Sequence, residues 1–225
     1  MAAVDMGGAI AERPREIRDY PFLEAVYEQH DDLIGEHVRD GRVLEVAHGR
    51  YAHEDADVAI DIDPRNADGS ACQVTIGDAR ALPFADDSFA TVIGRRFIHH
   101  VPATDRIGLL QECRRVLKPH GSIVVIEGTP GLYRQFVKGA AFRAGLLGKD
   151  TDQYGHLSPG ELRFVLEYAG FHVDTLRRLG SPLMPAAIAT GEWSRHLASL
   201  AKRVGGVRWW TLAVGDEVGP SGGGR

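Results

Sequence analysis

Cysteine is almost missing from this chain: 225 residues contain only Cys72 and Cys113, and neither belongs to a CxxC or mixed Cys/His spacing. A disulfide framework and a cysteine-built zinc site are therefore not indicated, no metal is expected, and a reducing compartment suits the composition. Long apolar runs are missing too. Nothing approaches the roughly 20 residues of a membrane span. The opening MAAVDMGGAIAERPRE lacks the charged-then-apolar order of a signal peptide, so a cytoplasmic protein without membrane insertion is expected. An excess of positive charge is also absent. Lys and Arg total 26 against 31 for Asp and Glu, a net charge of -5 that argues against nucleic acid as a partner. What is present, 44% hydrophobic and 25% charged residues, is ordinary globular usage, and the length suits one large domain.

Residues 1–16 and the Gly-rich 215–225 show no periodicity and are expected to be flexible ends around a single domain over 17–214. Within it, apolar runs of strand length alternate with helical patterns, which predicts an α/β domain with a mostly parallel sheet. The strands are expected at Val43–Ala47, Val58–Ile62, Cys72–Ile76, Ala90–Ile93, Ser122–Glu127, Phe171–Leu179 and Val207–Val214. A leading helix or helix pair starts at Pro21. Thr104 can cap a second helix, with Ile107, Leu110, Cys113 and Leu117 on one face, stopped by Lys118-Pro119-His120-Gly121. Ser158-Pro159-Gly160-Glu161 reads as a capping box before a third helix ending at Gly170, and a further helix is expected around Glu192–Val204. Only His48–Asp57 separates the first two strands, so the crossover helix there must be short or absent, leaving one face of the sheet thinly covered.

Three acids, Glu45, Asp61 and Asp78, fall at or just beyond the ends of the first three strands. In an open parallel sheet those ends line one crevice, where a carboxylate after the second strand can take the two hydroxyls of a ribose. One after the third strand can accept from an adenine amine. Turn chemistry is the competing explanation for Asp61 and Asp78, because Asp-x-Asp-Pro and Gly-Asp are common in turns.

The segment that follows resembles the central block of class I S-adenosylmethionine-dependent methyltransferases. The resemblance is carried by Gly77-Asp78-Ala79, Leu82-Pro83-Phe84, Asp87-Ser88-Phe89-Ala90, Ile98-His99-His100-Val101 and Arg115-Val116-Leu117-Lys118-Pro119-His120-Gly121, and it extends from about Arg42 to Gly170. It implies a doubly wound, seven-stranded Rossmann-like sheet with the last strand antiparallel, and S-adenosyl-L-methionine as cofactor. The resemblance puts Glu45, Ala47, His48 and Gly49 at the first cofactor loop, Asp61 and Ile62 at the ribose end, Asp78 and Ala79 beside the adenine, and Gly94 at the fourth strand. The chain departs from the family pattern acid-x-Gly-x-Gly-x-Gly, for it reads Glu45-Val46-Ala47-His48-Gly49-Arg50-Tyr51, and it has Ala90 and His120 where the family usually has aspartate and glycine. Ala47 and Tyr51 crowd that loop unless the Tyr51 ring points away. A dinucleotide cofactor fits less well, because Glu54, Asp55 and Asp57 would repel a pyrophosphate.

Methyl transfer from a sulfonium is an in-line displacement in which alignment supplies most of the catalysis. For a hydroxyl or acidic-carbon acceptor a base is useful, and His99, just after the fourth strand, is the candidate, with a structural role as the alternative. Arg95 and Arg96 stand where the family often has small or apolar residues and could hold an acidic substrate, or could lie along the surface. Residues 128–157 read as a candidate lid with a basic side. Trp193, Trp209 and Trp210 are expected in the core or in a homodimer contact. The expected function is methylation of a small-molecule acceptor. The alternative, motivated by Ala47, Tyr51 and Ala90, is a non-catalytic relative that acts as a binding or regulatory partner.

Overall fold

A computed structural model describes residues 21–67, 72–130, 155–180 and 210–217. Helix α1 (Pro21–Gly35) leads into strand β1 (Val43–Val46), which is buried along its whole length, as is β2 (Val58–Asp61). Strands β3 (Gln73–Ile76) and β4 (Phe89–Arg95) follow. Helix α2 (Arg106–Val116) runs directly into β5 (Leu117–Gly128). Then come α3 (Pro159–Tyr168), β6 (Phe171–Leu179) and β7 (Trp210–Glu217). The seven strands form one sheet in the order β3-β2-β1-β4-β5-β7-β6. The first five are mutually parallel, and β7 pairs antiparallel with both β5 and β6. This is the doubly wound, seven-stranded arrangement expected. Strands covered on both faces need continuous apolar runs, which is why Val-Leu-Glu-Val and Ser-Ile-Val-Val-Ile-Glu show no alternation.

Register aligns the carboxyl ends of the strands. Val46 stands beside both Ile60 and Gly94, and Asp61 beside Ile76. Between β1 and β2 the backbone makes turns and no helix, with Ala47 N–H donating to the Ile60 carbonyl at 2.8 Å. Ten residues cannot cover the return path of a parallel crossover and also build two helical turns. Beyond β2, Pro64–Asn66 forms a single 3-10 turn capped by the Asp63 carboxylate.

The core lies between the sheet and the helices α2 and α3, with Phe89, Leu110, Cys113, Leu162 and Leu166 fully buried in it. Helix α3 begins with the expected reciprocal cap: Glu161 N–H donates to Ser158 Oγ at 3.2 Å, and Ser158 N–H donates to the Glu161 carboxylate at 2.8 Å. Helix α2 starts differently from expectation. Thr104 does not cap it; its hydroxyl bonds the Asp105 carboxylate, which also receives Arg80 at 3.0 Å, and Asp105 makes no cap bond with its side chain. An aspartate drawn into an ion pair is lost to the helix end. Strand β5 starts at Leu117, five residues before expectation, because Leu117 pairs with Phe89 before residues 118–121 bulge out.

Ala90, where the family pattern carries an aspartate, is buried and stands against Gly41, where an added Cβ would come within 2.9 Å of the Ala90 methyl; nothing in the structure explains the loss of the aspartate. Strand β7 continues to Glu217, past the expected end at Val214. Trp210 is a core residue, edge-on to His30 at 4.8 Å. Trp193, Trp209, the helix expected at 192–204 and most of the candidate lid lie outside the described residues. Among the described residues no helix is long and apolar enough to cross a membrane.

Candidate active site

Asp61 closes β2 with its carboxylate held from two sides. Gly49 N–H donates to Oδ2 and Asp63 N–H to Oδ1, both at 2.8 Å. Each oxygen keeps capacity for a further donor, so the group is aimed without being saturated. Ile62 follows, 52% exposed, an apolar surface next to a fixed carboxylate. Asp78, after β3, is gripped by Arg80 through both oxygens, and Arg80 also holds Asp105. The Arg80 hydrogen bonds keep the Asp78 carboxyl below the usual carboxylate range. Ala79 packs against the core.

The loop after β1 achieves its turn with two glycines fewer than the family pattern, keeping only Gly49. Ala47 takes a left-handed backbone with φ 52°, a conformation that glycine adopts at no steric cost, and Gly49 takes φ 66°. Tyr51 does not crowd the loop: it is exposed, its ring lies near the Arg50 guanidinium at 5.6 Å, and its carbonyl accepts from Arg95. His48 is 6% exposed, and neither ring nitrogen has a hydrogen-bond partner. Burial holds its pKa below the ordinary value against the pull of Asp61 and Glu45. A neutral, buried imidazole without partners is an energetic cost in the free protein and a ready donor or acceptor for a ligand.

Glu45 and Arg95 are brought together and neutralise each other. Glu45 is completely buried; Arg95 Nε donates to Oε1 at 2.6 Å, and His53 N–H donates to Oε2 at 2.6 Å. Arg95 extends on to Asp31 at 2.9 Å. Arg96 holds its guanidinium 3.7 Å over the Tyr27 ring from a left-handed backbone, φ 54°. Gly94 is roofed by the Phe97 ring, which occupies the space a Cβ would need. The two arginines therefore have intramolecular roles: one is an ion-pair partner at the foot of β1, the other an aromatic-stacked cation.

Past β4, His99 lies in the 3-10 turn Ile98–His100. Its Nδ1 is 2.7 Å from Glu127 Oε2, and Ile98 N–H donates to the other Glu127 oxygen at 2.6 Å. Glu127 is fully buried and His99 nearly so. The rings of His100 and His156 approach His99 at centroid distances of 4.1 and 4.6 Å. Sequence reasoning overlooked Glu127 and His156 as site residues. A carboxylate closing the apolar run Ser122-Ile123-Val124-Val125-Ile126 was a usable signal, since a buried acid needs a partner. His156 carried no such signal.

Residues 40–125 match the family model described as a methyltransferase domain. Over that stretch the chain is similar to class I methyltransferases. Its curated relatives include the demethylmenaquinone methyltransferase of Thermotoga maritima, 36% identical over 100 residues, covering 40% of this chain and 42% of that protein. The chain spans about two fifths of the length of the first curated relatives it matches. Among solved structures, a possible histamine N-methyltransferase from Thermotoga maritima superposes with TM-score 0.63 at 17% identity, covering 89% of this chain and 91% of that one. A SAM-dependent methyltransferase from Archaeoglobus fulgidus superposes at 0.60 with 18% identity, covering 86% and 94%. At such identities the structural likeness establishes the methyltransferase fold alone.

Proposed function

We propose that this protein transfers a methyl group from S-adenosyl-L-methionine to a small-molecule acceptor. The observation that carries the reading is the Asp61 carboxylate at the carboxyl end of β2, fixed by Gly49 and Asp63 N–H groups, beside exposed Ile62 and the buried, unbonded His48. That donor and acceptor set fits a nucleoside. Asp61 would take the ribose hydroxyls, Ile62 and the Asp78–Ala79 stretch would flank the base, and His48 with Gly49 would meet the polar chain. Glu45 is spent on Arg95 and serves as scaffold at the foot of the loop. When bound, S-adenosyl-L-methionine supplies the electrophilic methyl carbon.

His99 is the proposed base for a hydroxyl acceptor. With Nδ1–H donated to Glu127, its lone pair is on Nε2, and the carboxylate stabilises the imidazolium formed when a proton arrives. Arg95 is occupied, so an acidic acceptor would find Arg96 as its cation. A small-molecule acceptor is also supported by the likeness to demethylmenaquinone methyltransferase. A cytoplasmic location belongs to the same reading and is supported by the two free cysteines, Cys72 and Cys113. The net charge of -5 favours an acceptor other than nucleic acid.

Calorimetry with S-adenosylmethionine and its demethylated product tests this. Micromolar binding is expected, and Asp61→Asn is expected to weaken it by about 1 to 3 kcal/mol, roughly 5- to 150-fold, without a change in melting temperature large enough to signal unfolding. No heat at millimolar cofactor would end the enzyme reading and leave the non-catalytic binding role.

A further inference from the structure

Three metal-ligating residues from separate parts of the chain meet beside the strand ends. His99 comes from the turn after β4, Glu127 from the end of β5, and His156 from the segment leading into α3. One ligand atom from each lies within 4.8 Å of the other two. We propose that His99, Glu127 and His156 form a binding site for a divalent transition-metal ion of the zinc type. The proposal goes beyond methyl transfer and does not depend on cofactor binding.

The donor set favours that chemistry. Two imidazoles and one carboxylate suit Zn²⁺ and its first-row neighbours, whereas Mg²⁺ and Ca²⁺ prefer oxygen ligands throughout. Tetrahedral zinc with bonds of about 2.0 to 2.2 Å puts its ligand atoms about 3.3 Å apart. The widest pair in the trio therefore needs to close by no more than about 1.5 Å, the scale of a small side-chain adjustment. The His99–Glu127 pair, at 2.7 Å, opens slightly as the ion takes the place of the shared proton. That proton moves to His99 Nε2, so the ring stays neutral and the net proton count is unchanged.

Supporting contacts hold the trio before any ion arrives. Ile98 N–H fixes Glu127 Oε1, leaving Oε2 toward His99. Arg106, at the start of α2, donates through Nε to the Val101 carbonyl at 3.0 Å and through Nη2 to the Gly155 carbonyl at 3.1 Å. One guanidinium thus clamps the backbone next to the His99 turn onto the backbone next to His156. Such outer contacts orient ligands and raise affinity. A buried carboxylate otherwise costs folding energy, and a bound cation compensates its charge at short range. Three protein ligands leave a fourth position for water or for an acceptor oxygen. With the ion in place, His99 is a ligand and no longer a base, and lowering the pKa of an acceptor hydroxyl passes to the metal.

The test uses untagged full-length protein, stripped with a chelator and titrated with Zn²⁺ against a chromogenic chelator, then with Co²⁺ while visible spectra are recorded. One equivalent of Zn²⁺ per chain and a tetrahedral-type Co²⁺ spectrum are expected. His156→Ala and Glu127→Gln should each lower affinity at least tenfold. His172→Ala, in an exposed histidine beside Asp174 on β6, should leave it unchanged. Glu127 is buried, so His156→Ala, at the half-buried ligand, is the decisive variant if Glu127→Gln fails to fold. Zinc should also raise the melting temperature of the wild type and not of His156→Ala. Binding below a tenth of an equivalent, or binding indifferent to His156→Ala, would overturn the site. S-adenosylmethionine calorimetry on the same stripped sample reads the methyltransferase proposal separately.

Discussion

Among the described residues, four non-glycine positions adopt a left-handed backbone: Ala47, Asp87, Arg96 and His120. His120 sits in the β5 bulge at φ 63°, on the stop that the family pattern fills with glycine. A side chain in that region costs about 1 to 2 kcal/mol, partly offset by the greater freedom glycine has when unfolded. His120→Gly is therefore expected to stabilise the fold by about 0.5 to 1 kcal/mol, measured as a higher urea midpoint at unchanged slope. A residue with the opposite sensitivity is Arg95, which holds the fully buried Glu45. Arg95→Met leaves that carboxylate without its cation and should cost about 3 to 5 kcal/mol at pH 7 by urea unfolding. Adding Glu45→Gln should recover at least half the loss. Failure of the second change to rescue the first would mean that Arg95 acts through packing. The partners of Arg95 could not be read in advance, because Asp31, Glu45 and Tyr51 are scattered along the sequence and meet only when β1, β4 and α1 pack.

At the level of elements, the α3 cap was fully legible, since Ser-x-x-Glu with proline at the first turn is a local code. Ser158→Ala should cost about 1 kcal/mol in thermal or urea unfolding. The cap also has a pH signature. Its hydrogen bonds to Ser158 hold the Glu161 carboxyl below its ordinary value, so the stabilisation is present above the unfolded pKa of about 4.3 and is lost as pH falls through the lower folded value. In Ser158→Ala the stability loss on going from pH 5 to pH 3 should be smaller than in the wild type. The start of α2 was less legible: two capping-type residues, Thr104 and Asp105, compete there, and a remote arginine, Arg80, took Asp105 out of the competition.

For the whole molecule, buried histidines govern the response to mild acid. His30, packed between Tyr27 and Trp210, has its pKa pushed down to about 3 by burial and by the charges of Arg96 and Arg95, and burial lowers His48 as well. The folded state keeps these rings neutral, while the unfolded chain takes up protons below about pH 6.5. Stability therefore falls as pH drops from about 6.5 toward 3, with His30 alone contributing about 2 kcal/mol by pH 5. Asp78, Glu112 and Glu161, all lowered, add to the decline only below about pH 5, where the carboxyls of the unfolded chain begin to take up protons. His30→Phe should flatten the urea midpoint between pH 7 and pH 5; an equally steep decline would assign the effect to other groups.

Strand positions, the helix-free crossover after β1 and the acids at the strand ends were determined along the sequence itself, because apolar runs, segment lengths and turn residues act within a few residues of one another. Which carboxylates remain open was decided only in three dimensions. Asp61 keeps acceptor capacity because its partners are backbone N–H groups, whereas Glu45 lost its own to Arg95, fifty residues away. The meeting of His99, Glu127 and His156 is of the same kind. Desolvation and hydrogen bonding depend on distances that the pairing of β4 with β5 and the docking of α3 create, and no local pattern encodes them.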